Sequence, residues 1–177
     1  MSESKIETTI REYLLEEGLI RKKIQDSKLE FGFQFVFPPG QRGNIMAVFK
    51  PKEKDLIIIS SGTQISEEHI NALNLLKNDK KLQYFMDLRK FFLLKDVFFR
   101  IDVNKFRYEI SDQKFLKKNG IISKNSFFKT IRKVFNCAAY SNIILAQYCS
   151  GKIQEADFDK SFDKSKDFSG SDFSLYS

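Results

Sequence analysis

The sequence predicts an α+β domain with an antiparallel five-stranded sheet and helices on one face, in the order αβββαββα. Three observations predict it. In LEFGFQFVFPPG phenylalanine recurs at every second position, at Phe31, Phe33, Phe35 and Phe37. That is the period of a strand, and it puts all four rings on one face of a sheet. In FFRIDVNKFRY a single hairpin register satisfies both faces at once. Hairpins, with no repeating strand-helix-strand unit, fill the chain between its helical stretches, which is the pattern of an antiparallel sheet with its helices gathered on one side.

Taken in order, residues 5–17 read as a helix. Ser4 caps it, Glu7 completes a capping box, and Ile6, Ile10, Tyr13 and Leu14 form one apolar stripe. Gly18 ends it. LIRKKIQDSK is a linker to the Phe ribbon, which Pro38, Pro39 and Gly40 close because proline cannot continue a central strand. NIMAVFKPKEKDLIIIS then reads as a hairpin. With residues 51–54 as a four-residue loop, Lys50 faces Asp55, Phe49 faces Leu56, Val48 faces Ile57, Ala47 faces Ile58 and Met46 faces Ile59. Both faces of this pair are apolar.

Ser66 caps the next helix, with Ile65 and Ile70 placed as a hydrophobic staple. Ile70, Leu73, Leu76, Tyr84, Phe85, Leu88 and Phe92 keep a helical spacing over 67–94, and KNDKK at 77–81 interrupts the stripe, so the segment is one helix or two. The second hairpin turns at Asn104-Lys105. Val103 then faces Phe106, Ile101 faces Tyr108 and Phe99 faces Ile110 on one side, while Asp102 faces Arg107 and Arg100 faces Glu109 on the other. A slip of one residue would send every apolar side chain to the charged side. Asn104 suits the positive φ of such a turn. Phe128, Ile131, Val134, Phe135, Ala138, Asn142 and Leu145 give the last helix, started near Ser123–Ser126.

A chain of 177 residues, 42% hydrophobic, is long enough for one domain with a real core. The domain is expected over residues 1–150. Residues 151–177 form a tail of Ser, Asp and Lys with isolated Phe158, Phe162, Phe168 and Phe173, and such spacing cannot bury enough area to offset chain entropy. The tail is therefore expected to be disordered. The net charge is +7, but from Lys152 onward there are four lysines and six carboxylates, a net −2, which leaves +9 on residues 1–151. MSESKIETT lacks the cationic start and apolar run of a signal peptide, and no stretch has the 18 or so uninterrupted apolar residues of a membrane span, so a cytoplasmic protein with no membrane partner is expected.

The order of elements, with IREYLLEEG leading into FGFQFVFPPG and FRYEISD followed after a loop by SFFKTIRKVFN, resembles a small, uncharacterised domain family known mainly from archaeal genomes. It looks like the type III secretion chaperone-like fold, the one shared by the YbjN family. The likeness covers roughly residues 4–150. It implies an α+β fold that often dimerises and, in the secretion chaperones, binds extended segments of other proteins. It supplies no functional residues.

The residues themselves point away from the common enzyme classes. There is no phosphate loop, GxSxG, HExxH or Cys-His pairing with an orienting group, so no catalytic residue and no cofactor is expected. Cys137 and Cys149 have no metal-ligand spacing and read as reduced structural thiols; with one histidine in the chain no metal site is expected. Ser60, Ser61 and Gly62 read as a turn that caps a helix, and His69 as a surface residue. A nucleic-acid partner is the alternative, because FFRIDVNKFRY interleaves basic and aromatic residues and Lys114, Lys117, Lys118 and Lys124 form a loop patch. The predicted register nevertheless puts the rings on one face and Arg100 and Arg107 on the other, a poor stacking platform. The remaining feature is the first hairpin. If helices cover one face, either Met46, Val48, Ile57 and Ile59 or their opposites Ala47, Phe49, Leu56 and Ile58 look outward, and such a patch marks an interface. Met46, Val48, Ile57 and Ile59 are the candidate interface of a protein-binding or chaperone-like module that binds itself as a homodimer or takes another protein or peptide.

Overall fold

The computed structural model describes residues 4–40, 43–116 and 121–150. The expected disordered tail, 151–177, lies outside them. Ten elements follow one another: α1 Lys5–Glu16, β1 Ile20–Lys23, β2 Leu29–Phe37, β3 Asn44–Pro51, β4 Leu56–Gln64, α2 Glu67–Asn74, α3 Asn78–Leu94, β5 Phe98–Asp102, β6 Arg107–Phe115 and α4 Lys124–Cys149. The sheet has six strands, not five, in the order β1-β2-β3-β4-β6-β5, and every pairing is antiparallel.

The added strand is β1, inside the expected linker. Its sequence IRKK shows no apolar alternation because it is an edge strand; charged residues there guard an open edge against pairing with another chain. It is positioned by β2, with Ile20 opposite Phe35 and Lys23 opposite Phe33 across a bulge. The 67–94 segment is two helices, broken at Leu75–Lys77, just ahead of most of the polar KNDKK run; Lys77 starts α3 with no side-chain cap bond. The caps expected at Ser4 and Ser66 form, and Ser123 caps the last helix. Ser4 accepts from the Glu7 amide at 3.3 Å, Ser66 from the His69 amide at 3.5 Å and Ser123 from the Ser126 amide at 3.2 Å. Glu7 does not close a capping box, because its carboxylate is drawn 2.6 Å from Lys23 on β1.

Both hairpins fold, with different accuracy of register. The second keeps Phe99–Ile110, Arg100–Glu109, Ile101–Tyr108 and Asp102–Arg107 as predicted. Its turn is wider than two residues, and Phe106, not Asn104, takes the left-handed backbone conformation (φ 50°). Phe106 is held there by packing near Phe85, by Lys81 over its ring, and by its carbonyl accepting from the Ile65 amide at 3.0 Å. The first hairpin is shifted by two residues, with Val48 opposite Ile59 and Phe49 opposite Ile58. Pro51 remains in β3 opposite Leu29, so the loop is 52–55, again four residues, and Glu53 takes φ 62° within it. A shift of two leaves each side chain on its expected face.

Phe31, Phe33 and Phe35 are buried in the main core, and Phe37 packs edge-on against Phe135 of α4 at 5.3 Å. Ile6, Ile10 and Leu14 of α1, Leu73 of α2, Tyr84, Leu88 and Phe92 of α3, and Ile131, Val134 and Leu145 of α4 belong to the same core. All four helices therefore cover the face that carries the Phe ribbon.

Candidate functional site

Met46, Val48, Ile57 and Ile59 point to that covered face. All four are buried in the main core, beneath the helices, so they cannot meet a partner. The pairing that decides this is Phe33 with Val48 and Phe35 with Met46, since directly paired residues share a face. The alternation in β2 together with that parity would have identified the covered side; each hairpin strand taken alone, apolar on both faces, does not.

The opposite face carries Ala47, Phe49, Leu56 and Ile58, a second, smaller apolar cluster with Ile24 and Leu29 packed against it. Among the described residues no helix contributes a side chain to it. Gly32 makes room for this arrangement: a Cβ there would lie 3.0 Å from the Ile24 Cβ, 3.3 Å from Leu29 Cδ1 and 3.3 Å from the Phe49 Cβ. The pairings define the rows of this face. Lys22, Gln34, Ala47, Ser60, Ser111 and Phe98 run across all six strands. On one side of that row lie Ile58 with Gln113 and Leu56 with Phe115; on the other lie Gly62, Glu109 and Arg100, then Gln64, Arg107 and Asp102. One end is thus apolar and the other ionic, and both Phe98 and Phe115 are exposed.

The ionic end is electrostatically unusual. Burial pushes the Glu109 carboxyl up to about 7, against the opposing pull of Arg100 and Arg107. Its Oε1 has no hydrogen-bond partner, and neither has Ser60 Oγ on the same face. Ser60, Ser61 and Gly62, read from the sequence as a capping turn, lie inside β4. His69, expected at the surface, is buried, with Nδ1 2.7 Å from the Ser66 hydroxyl. It lines a crevice of about 40 Å³ with Ser61, Thr63, Asn142 and other residues, a space on the scale of a water molecule.

The rings of Phe99 and Tyr108 face the core while Arg100 and Arg107 face the other way, where exposed Phe98 shares their face. Of the lysine patch, Lys124 is bound to Glu16 and Glu17 at 2.8 and 2.7 Å, and Lys117 and Lys118 lie outside the described residues. Cys137 and Cys149 are free and buried, and burial pushes the Cys149 thiol up to about 11. Among the described residues no group of three or more His, Cys, Asp or Glu is placed to hold a metal ion, and no helix is long and apolar enough to cross a membrane.

Residues 6–145 match the sequence profile of a family described as an uncharacterized conserved protein (DUF2299). The chain belongs to that family. The fold is similar to that of an uncharacterized protein from Methanothermobacter thermautotrophicus, with a TM-score of 0.72 at 23% identity over 80% of this chain and 97% of that one. YbjN from E. coli is a more distant likeness, with a TM-score of 0.45 at 12% identity over 79% of this chain and 90% of the other. No curated protein matches the sequence.

Proposed function

We propose that the protein is a non-catalytic, chaperone-like binding module that also associates with itself, and that the helix-free face of the sheet takes an extended segment of another protein. The observation that carries this reading is the composition of that face. Its apolar end combines the Ala47, Phe49, Leu56 and Ile58 cluster with the exposed ring of Phe115, and the exposed ring of Phe98 stands in the central row opposite Ser111. Exposed rings beside an apolar cluster suit an extended segment, which lays alternate side chains against them. The test is suppression of aggregation of a thermally unfolding client such as citrate synthase by the full chain. Full-length protein should slow the rise in light scattering, and the Phe98→Ser/Phe115→Ser double variant should lose most of that effect. Equal protection by the variant, or none by the parent, would sink the proposal.

A further inference from the structure

α3 is apolar on two sides. Tyr84, Phe85, Leu88 and Phe92 are buried against the sheet and α4. Leu82 and Leu93 are nonetheless 62% and 69% exposed and Met86 40% exposed, and Leu75, which closes α2 just ahead, is 73% exposed. Single exposed leucines need no explanation, but these do not scatter. At about 100° per residue, Asp79, Leu82, Met86, Arg89 and Leu93 fall within a strip roughly 80° wide, distinct from the buried side. The steps from 82 to 86, 89 and 93 are four, three and four, the seam spacing of helices that pack along their length.

We propose that a second copy of this chain docks on this strip, antiparallel, with the two-fold axis level with residue 84. The occupant follows from the sequence of the strip. About that centre, Leu82 meets Met86 of the other copy and Asp79 meets Arg89, each contact occurring twice by symmetry. A surface that pairs apolar with apolar and carboxylate with guanidinium when turned on itself is self-complementary in shape of pattern and in charge. Asp79 and Arg89 are both exposed, and their ion pairs would fix the register, since a slip of one turn sets Asp79 against Leu93 or Phe85 in place of Arg89. This inference rests on the reading of the protein as self-associating, but it uses the helical layer, on the opposite side of the sheet from the face assigned to other proteins.

The test is sedimentation equilibrium of the full chain over a range of concentrations. A reversible monomer–dimer equilibrium is expected. Met86→Glu should raise the dissociation constant by about 30-fold or more, the size of a central contact at an interface, with far-ultraviolet circular dichroism unchanged because the side chain is exposed. Asp79→Arg and Arg89→Asp should each weaken the dimer, and the two together should restore it. A chain that stays monomeric at all concentrations overturns the inference, as does a dimer indifferent to Met86→Glu or a double exchange that restores nothing. A dimer abolished by Phe98→Ser but not by Met86→Glu also overturns it and moves self-association to the sheet. Client protection by a strictly monomeric protein would remove the dimer and leave the binding face intact.

Discussion

Gln34 and Phe35 are adjacent in β2, yet they belong to two different environments. Phe35 lies with Met46 and Ile20 beneath four helices, where the strand face is almost wholly large and apolar. Gln34 stands in the row Lys22, Ala47, Ser60, Ser111 and Phe98, on a face that changes from apolar to ionic along the length of the strands. The helices supply the covered face with partners of fixed shape, so its side chains must fill space. Among the described residues the other face has no helix to match, and it carries small residues, charges and exposed rings. The difference teaches that burial alone does not mark a core: Ile58 and Ile57 are both buried, but they sit in separate clusters on opposite sides of one strand.

The largest expected effect tests that contrast directly. Phe35→Ala should cost about 3–5 kcal/mol, the range for deleting a buried ring and leaving a cavity. Phe115→Ser should lie within about 0.5 kcal/mol of the parent, as exposed substitutions do. Urea unfolding of the two variants measures both, and similar losses would mean that the two faces are not distinct.

A smaller effect separates two hydroxyls within the covered core. Ser141 Oγ donates to the Ala138 carbonyl at 2.7 Å, so its single proton is committed and the 2.6 Å contact with Tyr108 must be donated by the tyrosine. Ser141→Ala removes that acceptor from a fully buried phenol and should cost about 1–3 kcal/mol. The Tyr84 hydroxyl is buried with no partner, and burial holds its ionisation well above the ordinary range. Tyr84→Phe should therefore be neutral or stabilising. Thermal unfolding that ranks the two variants the other way round would show the hydroxyl network to be wrongly assigned.

On the open face the expected signal is a pH dependence. Glu109 rises from an ordinary value of 4.5 to about 7 in the folded protein. Between those values the folded state binds more protons than the unfolded chain, so this group makes stability fall as pH rises from about 4.5 to 7, with no further change above. Glu109→Gln should flatten that part of the stability–pH profile and be more stable than the parent at pH 8. An unchanged slope would show that Glu109 is better solvated than its surroundings indicate.

The smallest expected effect concerns the same row. Arg100→Glu sets two carboxylates opposite each other and should cost about 0.2–1 kcal/mol, and adding Glu109→Arg should recover it. A double variant that recovers nothing would contradict the pairing of β5 with β6.

Local chemistry settled by neighbouring residues was legible in the sequence. The caps at Ser4 and Ser66, the stop at Gly18, the Phe ribbon and the four pairs of the second hairpin each depend on contacts within a few residues or across one short turn. Alternation in β3 and β4 fixes which residues share a face, and it held even when the register moved by two. It cannot say which face the helices take, because exchanging the two sides of a strand that is apolar on both leaves the pattern unchanged. That choice was made by β2, whose rings must join the helices and whose pairing brings Val48 and Met46 with them. Tertiary structure likewise made a strand of IRKK, which has no apolar period and needs the β2 edge for its hydrogen bonds, and it buried His69 beside α4 although its neighbours in sequence are two glutamates. Such features depend on elements far apart in the chain, and the free energy that fixes them comes from area buried between those elements, which no local window of sequence contains.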